Sequence, residues 1–289
     1  MGADPDADFP QSAYFRDAPY AGRKPGVDPY RQTWNLIMPT QQGRLIGVSL
    51  GPGDPQWITR GAWSALQSAA HWTYPVKKSG AESYALEIVQ RSGLAIPARN
   101  TALVFPMTKD AEILAKSWAV AGRQVLELLN GGEDVLFLVE GDASTYSTFN
   151  HVRRAVQALD GGVAVEVIPG VTSFNAAAAR LQDVLCDQDE TVAIVPAAYG
   201  VAVIEQLLAQ FDTIALLKVN PVLDQVLDML QQKGIIEHAR FVEKAGSEQE
   251  WLVEDVRTLR GRKVSYLSLM LVHNPNRVKP TLQRGCRKK

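Results

Sequence analysis

The sequence predicts an α/β protein made of two α/β domains in tandem, on three observations. From Arg44 onward, short runs rich in aliphatic and β-branched residues alternate with helical stretches, the pattern of strands laid parallel through helical crossovers. The alternation pauses at Asp160-Gly161-Gly162 and then begins again. The chain's 289 residues are about twice an average domain, and a 46% hydrophobic fraction beside 21% charged residues supplies a sizeable core.

Residues 1–42 hold six of the sixteen prolines, at 5, 10, 19, 25, 29 and 39, and show no sustained period. An irregular N-terminal arm is expected there. Its aromatics Phe9, Tyr14, Phe15, Tyr20, Tyr30 and Trp34 offer surface for packing on the body or on a second subunit. The first domain, 43–159, pairs strand Leu45–Leu50 with a helix over Pro55–Ala70, Ala102–Phe105 with Ala111–Asn130, and Val135–Val139 with Ser147–Leu159. The second, 160–275, begins with strand Val163–Ile168 and helix Ser173–Leu181. It continues with Thr191–Val195, helix Val201–Gln210, Thr213–Val219 and helix Pro221–Lys233, and closes with Phe241–Glu243 and Ser265–Val272. Residues 276–289 form a basic tail.

Thirty Lys and Arg against thirty-one Asp and Glu give a net charge of -1, so no global field attracts nucleic acid or an anionic membrane. An anionic ligand must meet a local basic patch. Apolar runs such as Val135–Val139 are far shorter than the ~20 residues of a transmembrane helix. The start of the chain carries Asp4, Asp6 and Asp8 without a basic or apolar segment, which argues against a secretory signal and for the cytoplasm. Two cysteines, Cys186 and Cys286, give no disulfide framework or thiolate zinc site, and Cys186 is expected to be a small buried hydrophobe. His71, His151, His238 and His273 lack metal-binding spacing, so no metal site is expected. Ser144 and Ser147 have no nucleophile elbow or paired base.

Three loops remain that suit a ligand. The first strand runs into Gly51-Pro52-Gly53-Asp54-Pro55, in which glycines permit positive φ, Asp54 is a helix-capping residue and Pro55 suits a first helical position. Gln56 stands where a dinucleotide fingerprint needs its third glycine, and no Gly-Lys-Ser/Thr follows, which disfavours NAD and ATP. A plain strand-to-helix turn is the alternative. Glu140-Gly141-Asp142-Ala143-Ser144-Thr145-Tyr146 ends the third expected strand, and ligands of open α/β sheets lie beyond such carboxyl ends. Asp142 reads either as an acceptor facing a cation or as a helix cap. In Ile168-Pro169-Gly170-Val171-Thr172-Ser173 a hydroxyl caps a helix whose Ala176-Ala177-Ala178-Ala179 suits close packing against a sheet or a flat ligand. Lys77, Lys78 and Lys109 follow expected strands and lie where a cleft would open, though any of them also reads as a solvated surface residue.

Taken together, Gly51-Pro52-Gly53-Asp54-Pro55, Gly141-Asp142 with Tyr146, and Pro169-Gly170-Val171-Thr172-Ser173 resemble the tetrapyrrole methylase family in order and spacing over roughly residues 43–275. Phe105-Pro106-Met107-Thr108-Lys109-Asp110, Tyr146-Ser147-Thr148, Lys218-Val219 and Tyr266-Leu267-Ser268-Leu269 are similar to its branch acting on C-20 of precorrin-2 or cobalt-precorrin-2 in cobalamin synthesis. The resemblance implies class III architecture, S-adenosylmethionine (SAM) in the cleft between two domains, and a homodimer. It implies cofactor contacts at Pro52, Gly141, Asp142, Thr145, Tyr146, Thr172, Ser173, Pro196, Ala197 and Lys218. Ala143 departs from the proline usual after Gly-Asp, and Val76 stands where some relatives carry an aspartate proposed as catalytic, leaving no catalytic residue assigned.

The methyl of SAM is already activated, so alignment for in-line transfer is the protein's main task, and the fate of the departing proton is left open among water, a tetrapyrrole nitrogen and a base. Lys77, Lys78 and Lys109, with Arg44 or Arg99, are candidate clamps for the substrate's carboxylates. Two other functions compete: a methylase of this fold acting on RNA or protein, and a module that binds SAM or a tetrapyrrole without turnover.

Overall fold

The computed structural model describes residues 41–279. Strands β1 (Leu45–Ser49), β2 (His71–Val76), β3 (Asn100–Val104), β4 (Val135–Val139) and β5 (Val165–Ile168) form a wholly parallel sheet in the order β3-β2-β4-β1-β5. β1 and β4 pair from Leu45↔Val135 to Ser49↔Val139, and every residue in both is buried. Burial on both faces explains their near-continuous apolar sequence. Helices α1 (Arg60–Leu66) and α2 (Tyr84–Arg91) cover one face around Val48, Trp72, Ile88 and Leu138. Helices α3 (Ala111–Asn130) and α4 (Phe149–Leu159) cover the other around Val125, Phe137, Phe149 and Val152. Gly122 sets their approach, because a Cβ there would stand 2.8 Å from that of Ala155.

The second sheet has the order β6-β7-β10-β8-β9, built from β6 (Val192–Pro196), β7 (Thr213–Leu217), β8 (Ala239–Glu243), β9 (Trp251–Val253) and β10 (Ser268–His273). β6 and β7 are parallel, whereas β10 runs antiparallel to β7 and β8. Helices α6 (Val201–Leu208) and α7 (Leu223–Gln232) close one face over Ile204, Val226, Phe241 and Met270. Helix α5 (Ser173–Arg180) closes the other with Ala176, Ala177 and Ala178 against Ala215, Leu217 and Leu271. The alanines therefore serve helix-on-sheet packing. At the amino end of this sheet, buried Asp212 accepts from Thr191 N at 2.8 Å and pairs with the nearly buried Arg277, fastening the residues after β10.

Several expectations need correction. The strand placed at the head of the second series, β5, pairs with β1 from Leu45↔Val165 to Val48↔Ile168, so the first sheet extends past the expected boundary at 159/160. A strand is expected ahead of Lys77 without a range, which β2 supplies, and α2 is not in the expected series. Pro75 disguises the strand, and it is tolerated because β2 meets β4 only over His71–Thr73 and pairs with β3 alone beyond. The helix expected over 55–70 splits into a 3₁₀ turn, Pro55–Trp57, and α1, because the Thr59 hydroxyl takes the Ala62 N–H and starts a new helix. Cys186 is exposed rather than buried, since it sits in an irregular segment between α5 and β6 that also carries Asp183, Asp187 and Asp189. The expected arm, apart from Gln41 and Gln42, and the tail beyond Lys279 lie outside the described residues. Among the described residues no helix is long and apolar enough to cross a membrane.

Candidate functional site

β1 and β4 are neighbours, yet the helices that follow them, α1 and α4, lie on opposite faces of the sheet. Their loops part and open a crevice at the carboxyl end. Gly51 (φ +75°) and Gly141 (φ +73°) tie the two loops there, with Gly51 N donating to Gly141 O at 3.1 Å and Gly141 N to Gly51 O at 2.7 Å. Both need glycine for positive φ. No atom stands within 4 Å of where a Cβ on Gly141 would lie, so the space beside it is open. The third loop joins through Gly170 N, which donates to Asp142 Oδ2 at 2.8 Å. Asp142 Oδ1 accepts from Ser144 N at 2.9 Å and from the Ser144 hydroxyl, and Ala143 N donates to Ser49 Oγ at 2.8 Å. Burial pushes the Asp142 carboxyl up, but the Ser144 hydroxyl and the Gly170 and Ser144 N–H groups outweigh it and hold the pKa below the ordinary value. Asp142 caps no helix, as Thr148 occupies the N-cap of α4. It staples two loops.

The carboxyl ends of β6, β7 and β8 and the start of β10 meet these loops from the second sheet. A Cβ on Gly53 would lie 2.5 Å from Ala245 O and 2.8 Å from Ser247 N, and Gly246 packs on the Trp57 ring. Arg91 Nη1 donates to Gly53 O at 3.0 Å while its Nε stands 3.4 Å from Glu248, and Arg180 pairs with Glu250 at 2.6 Å. That side is held by many contacts. Elsewhere the exposed Tyr146, in left-handed conformation (φ +49°), donates its hydroxyl to Ile194 O at 3.0 Å. Lys218 (φ +57°) follows β7, donates its N–H to Ser268 O at 2.9 Å, and holds Nζ 5.0 Å from the Tyr266 ring centroid. With Lys244 (φ +50°), three bulky residues adopt an unfavourable backbone conformation at this end. Tyr84 donates its hydroxyl to Pro52 O at 3.0 Å, and burial foremost pushes its pKa up to about 12.

Of the residues singled out in sequence, Pro52, Gly141, Asp142, Thr145 and Tyr146 gather at the crevice, where Thr145 N donates to Asp142 O at 3.1 Å. Thr172 caps α5 and Ser173 opens it, just after the loop of Gly170. Pro196 ends β6, Ala197 begins the following 3₁₀ turn, and Lys218 follows β7 at the facing end of the other sheet. Lys77 and Lys78 are exposed after β2, at the same edge as the crevice, and Lys109 is exposed just before α3. Since β3 is the edge strand, Lys109 departs furthest from β4. Arg44 and Arg99 do not belong here. They precede β1 and β3 at the opposite end of the sheet, where Arg44 pairs with Asp134 at 2.7 Å and Arg99 with Glu133 at 3.3 Å. Val76 ends β2 buried and offers no proton acceptor.

Glu140 has no role that its sequence motif alone announces. It follows β4 and continues the face of Leu136 and Leu138, so it emerges above the α1–α2 side near Tyr84. Its side chain is exposed, yet the protein around it displaces enough water that desolvation foremost raises its pKa, while its own N–H and Lys218 from the second sheet oppose the shift. The period-two alternation of β4 was the signal that could have found it. SAM fits this end of the fold because the open space beside Gly141 admits a ligand to the main chain.

The family model for tetrapyrrole (corrin/porphyrin) methylases matches residues 44–259. A probable cobalt-precorrin-2 C(20)-methyltransferase of Methanocaldococcus jannaschii is 32% identical over 204 residues, covering 68% of this chain and 84% of that protein. The cobalt-precorrin-2 C(20)-methyltransferase of Salmonella typhimurium is 30% identical over 234 residues, covering 80% and 96%. Among solved structures, the methyltransferase CobJ superposes with a TM-score of 0.59 at 18% identity, over 82% of this chain and 97% of its own, which speaks to the fold alone. With two α/β layers meeting at glycine-rich strand ends and a family match across most of its length, the chain belongs to the tetrapyrrole (corrin/porphyrin) methylases.

Proposed function

We propose that the chain transfers the methyl group of SAM to C-20 of precorrin-2 or cobalt-precorrin-2 in cobalamin biosynthesis, at the crevice between the sheets. The observation that carries this reading is the Gly51–Gly141 bridge with open space beside Gly141, in a chain that shares 30% identity with a C-20 methyltransferase over nearly that protein's whole length. SAM supplies a methyl on a sulfonium, a leaving group that needs no covalent help from the protein. Pro52, Gly141, Thr145, Tyr146, Thr172, Ser173, Pro196, Ala197 and Lys218 line the proposed cofactor side. Asp142 acts there by holding the loops of β4 and β5 together. Fixing the acceptor carbon in line with the methyl is the main contribution expected of such a site. Lys77, Lys78 and Lys109 are proposed to meet the propionate and acetate groups of the macrocycle.

The two competing functions receive less support. An RNA substrate favours a basic face, whereas this chain is nearly neutral overall, and nothing among the described residues points to a module without turnover. A homodimer is part of the proposal, to be read from light scattering of the full chain. The decisive experiment incubates the protein with SAM and either metal-free or cobalt-loaded precorrin-2, with masses of both products recorded. Gain of one methyl by the tetrapyrrole, matched by S-adenosylhomocysteine, is expected. Binding of SAM without methyl transfer to either tetrapyrrole would reject the reading.

A further inference from the structure

We propose that Glu140 is a catalytic residue that accepts the proton lost from C-20 of the tetrapyrrole after methyl transfer; this rests on the function proposed above. Three placements lead to it. Glu140 directly precedes Gly141, beside which the crevice is open. The alternation of β4 turns its side chain to the Leu138 face, away from the core around Phe137 and Val139. Unlike Asp142, whose oxygens are taken by Ser144 and Gly170, the Glu140 carboxylate makes no hydrogen bond or ion pair with another described residue and meets only its own N–H.

The reaction requires such a group. Formation of the new carbon–carbon bond uses an electron pair of the macrocycle and leaves it with one additional positive charge. Breaking the C-20–H bond returns a pair to the conjugated system and discharges that charge. The proton passes to the Glu140 carboxylate and then to water, so no oxidant or further reactant is needed. Charged or titratable groups on surrounding elements are Asp54 after β1, Lys77 and Lys78 after β2, Tyr84 on α2, Lys218 after β7 and Lys244 after β8. The N–H of Glu140 itself and Lys218 favour the ionised carboxylate, whereas desolvation is the larger influence and raises its pKa above the ordinary value. A base whose pKa approaches the working pH is the better proton acceptor.

The test compares the full-length protein with Glu140→Gln and Glu140→Asp. In Glu140→Gln, kcat is expected to fall on the order of 100-fold, within the range of general-base catalysis, with the Kd for S-adenosylhomocysteine by calorimetry within about twofold of the parent. The acid limb of the parent's kcat–pH profile should vanish in Glu140→Gln and persist in Glu140→Asp. Independently of turnover, carbon NMR of the ligand-free protein, with the signal assigned by its loss in Glu140→Gln, should show this carboxyl titrating above the ordinary glutamate range. A Gln variant that keeps kcat within threefold with an unchanged pH profile overturns the assignment, as does one whose principal loss is cofactor affinity. A parent protein that methylates neither tetrapyrrole instead rejects the underlying function, whatever Glu140 does.

Discussion

Replacing Asp142 by alanine removes the acceptor that joins the loops after β4 and β5, and the structure indicates how much each lost bond should matter. Ser144 is exposed, so water replaces the carboxylate for its N–H and hydroxyl at little cost. Gly170 N is sheltered, with Ser49 and Gly141 packed where its side chain would be, and its bond to Oδ2 is the costly loss. A hydrogen bond to a charged acceptor is worth about 1.5–3 kcal/mol, and the weakened Ser144 turn brings the total to about 3 kcal/mol. At roughly 2–4 °C per kcal/mol for a chain of this size, the unfolding midpoint should fall by about 6–12 °C near neutral pH. The sign with pH follows from linkage. The folded-state pKa is depressed, so the stabilisation is fully present above the unfolded-state value and disappears as pH falls through the folded-state value. Parent and variant should therefore converge in acid below the ordinary carboxylate range. The assay is thermal unfolding of both proteins across that pH range, beside Ser144→Ala, which should shift the midpoint far less. A midpoint for Asp142→Ala within about 1 °C of the parent at neutral pH would refute the staple and return Asp142 to direct ligand contact.

Gly53→Ala forces a methyl group to within 2.5 Å of the Ala245 carbonyl, and backbone on both sides cannot yield cheaply; calorimetry should show SAM affinity reduced at least tenfold as the loops are wedged apart. The double variant Lys77→Gln/Lys78→Gln should raise the tetrapyrrole KM more than the SAM KM in steady-state kinetics and leave the unfolding midpoint unchanged, because both side chains are exposed. Arg277→Ala strips the buried Asp212 of its guanidinium partner far from the crevice, so denaturant titration should show a loss of about 3–5 kcal/mol while KM for SAM stays at the parent value.

Those contrasts also mark what the sequence could convey. The bounds of α3 and β4 were legible because a long amphipathic run and a five-residue apolar run admit few alternatives. Gly51, Asp54 and Pro55 announced their turn through backbone chemistry that is local. β5 was assigned to the wrong sheet because pairing with β1 is a contact across more than a hundred residues, which no local pattern contains. The same limit hid the work of Asp142, whose decisive partner is the N–H of Gly170. Arg44 and Arg99 misled for a different reason: their charge suited a carboxylate substrate, but both stand ahead of their strands, at the end of the sheet occupied by Asp134 and Glu133. Glu140 escaped notice because its significance depends on which face of β4 it continues and on Lys218 arriving from the other sheet.

Among the described residues, the chain passes from the first sheet to the second through the segment from Pro169 to Thr172, with α5 already seated on the far side. That single passage determines how the protein can be divided. A cut at Asp160–Gly162 strands β5 on the wrong fragment and leaves an exposed row of unpaired peptide groups along β1. A cut in the exposed segment around Asp187–Asp189 keeps the first sheet whole and leaves the alanine face of α5 as an adhesive surface for the second. Split halves co-expressed with the second cut should reassemble. Those made with the first should aggregate.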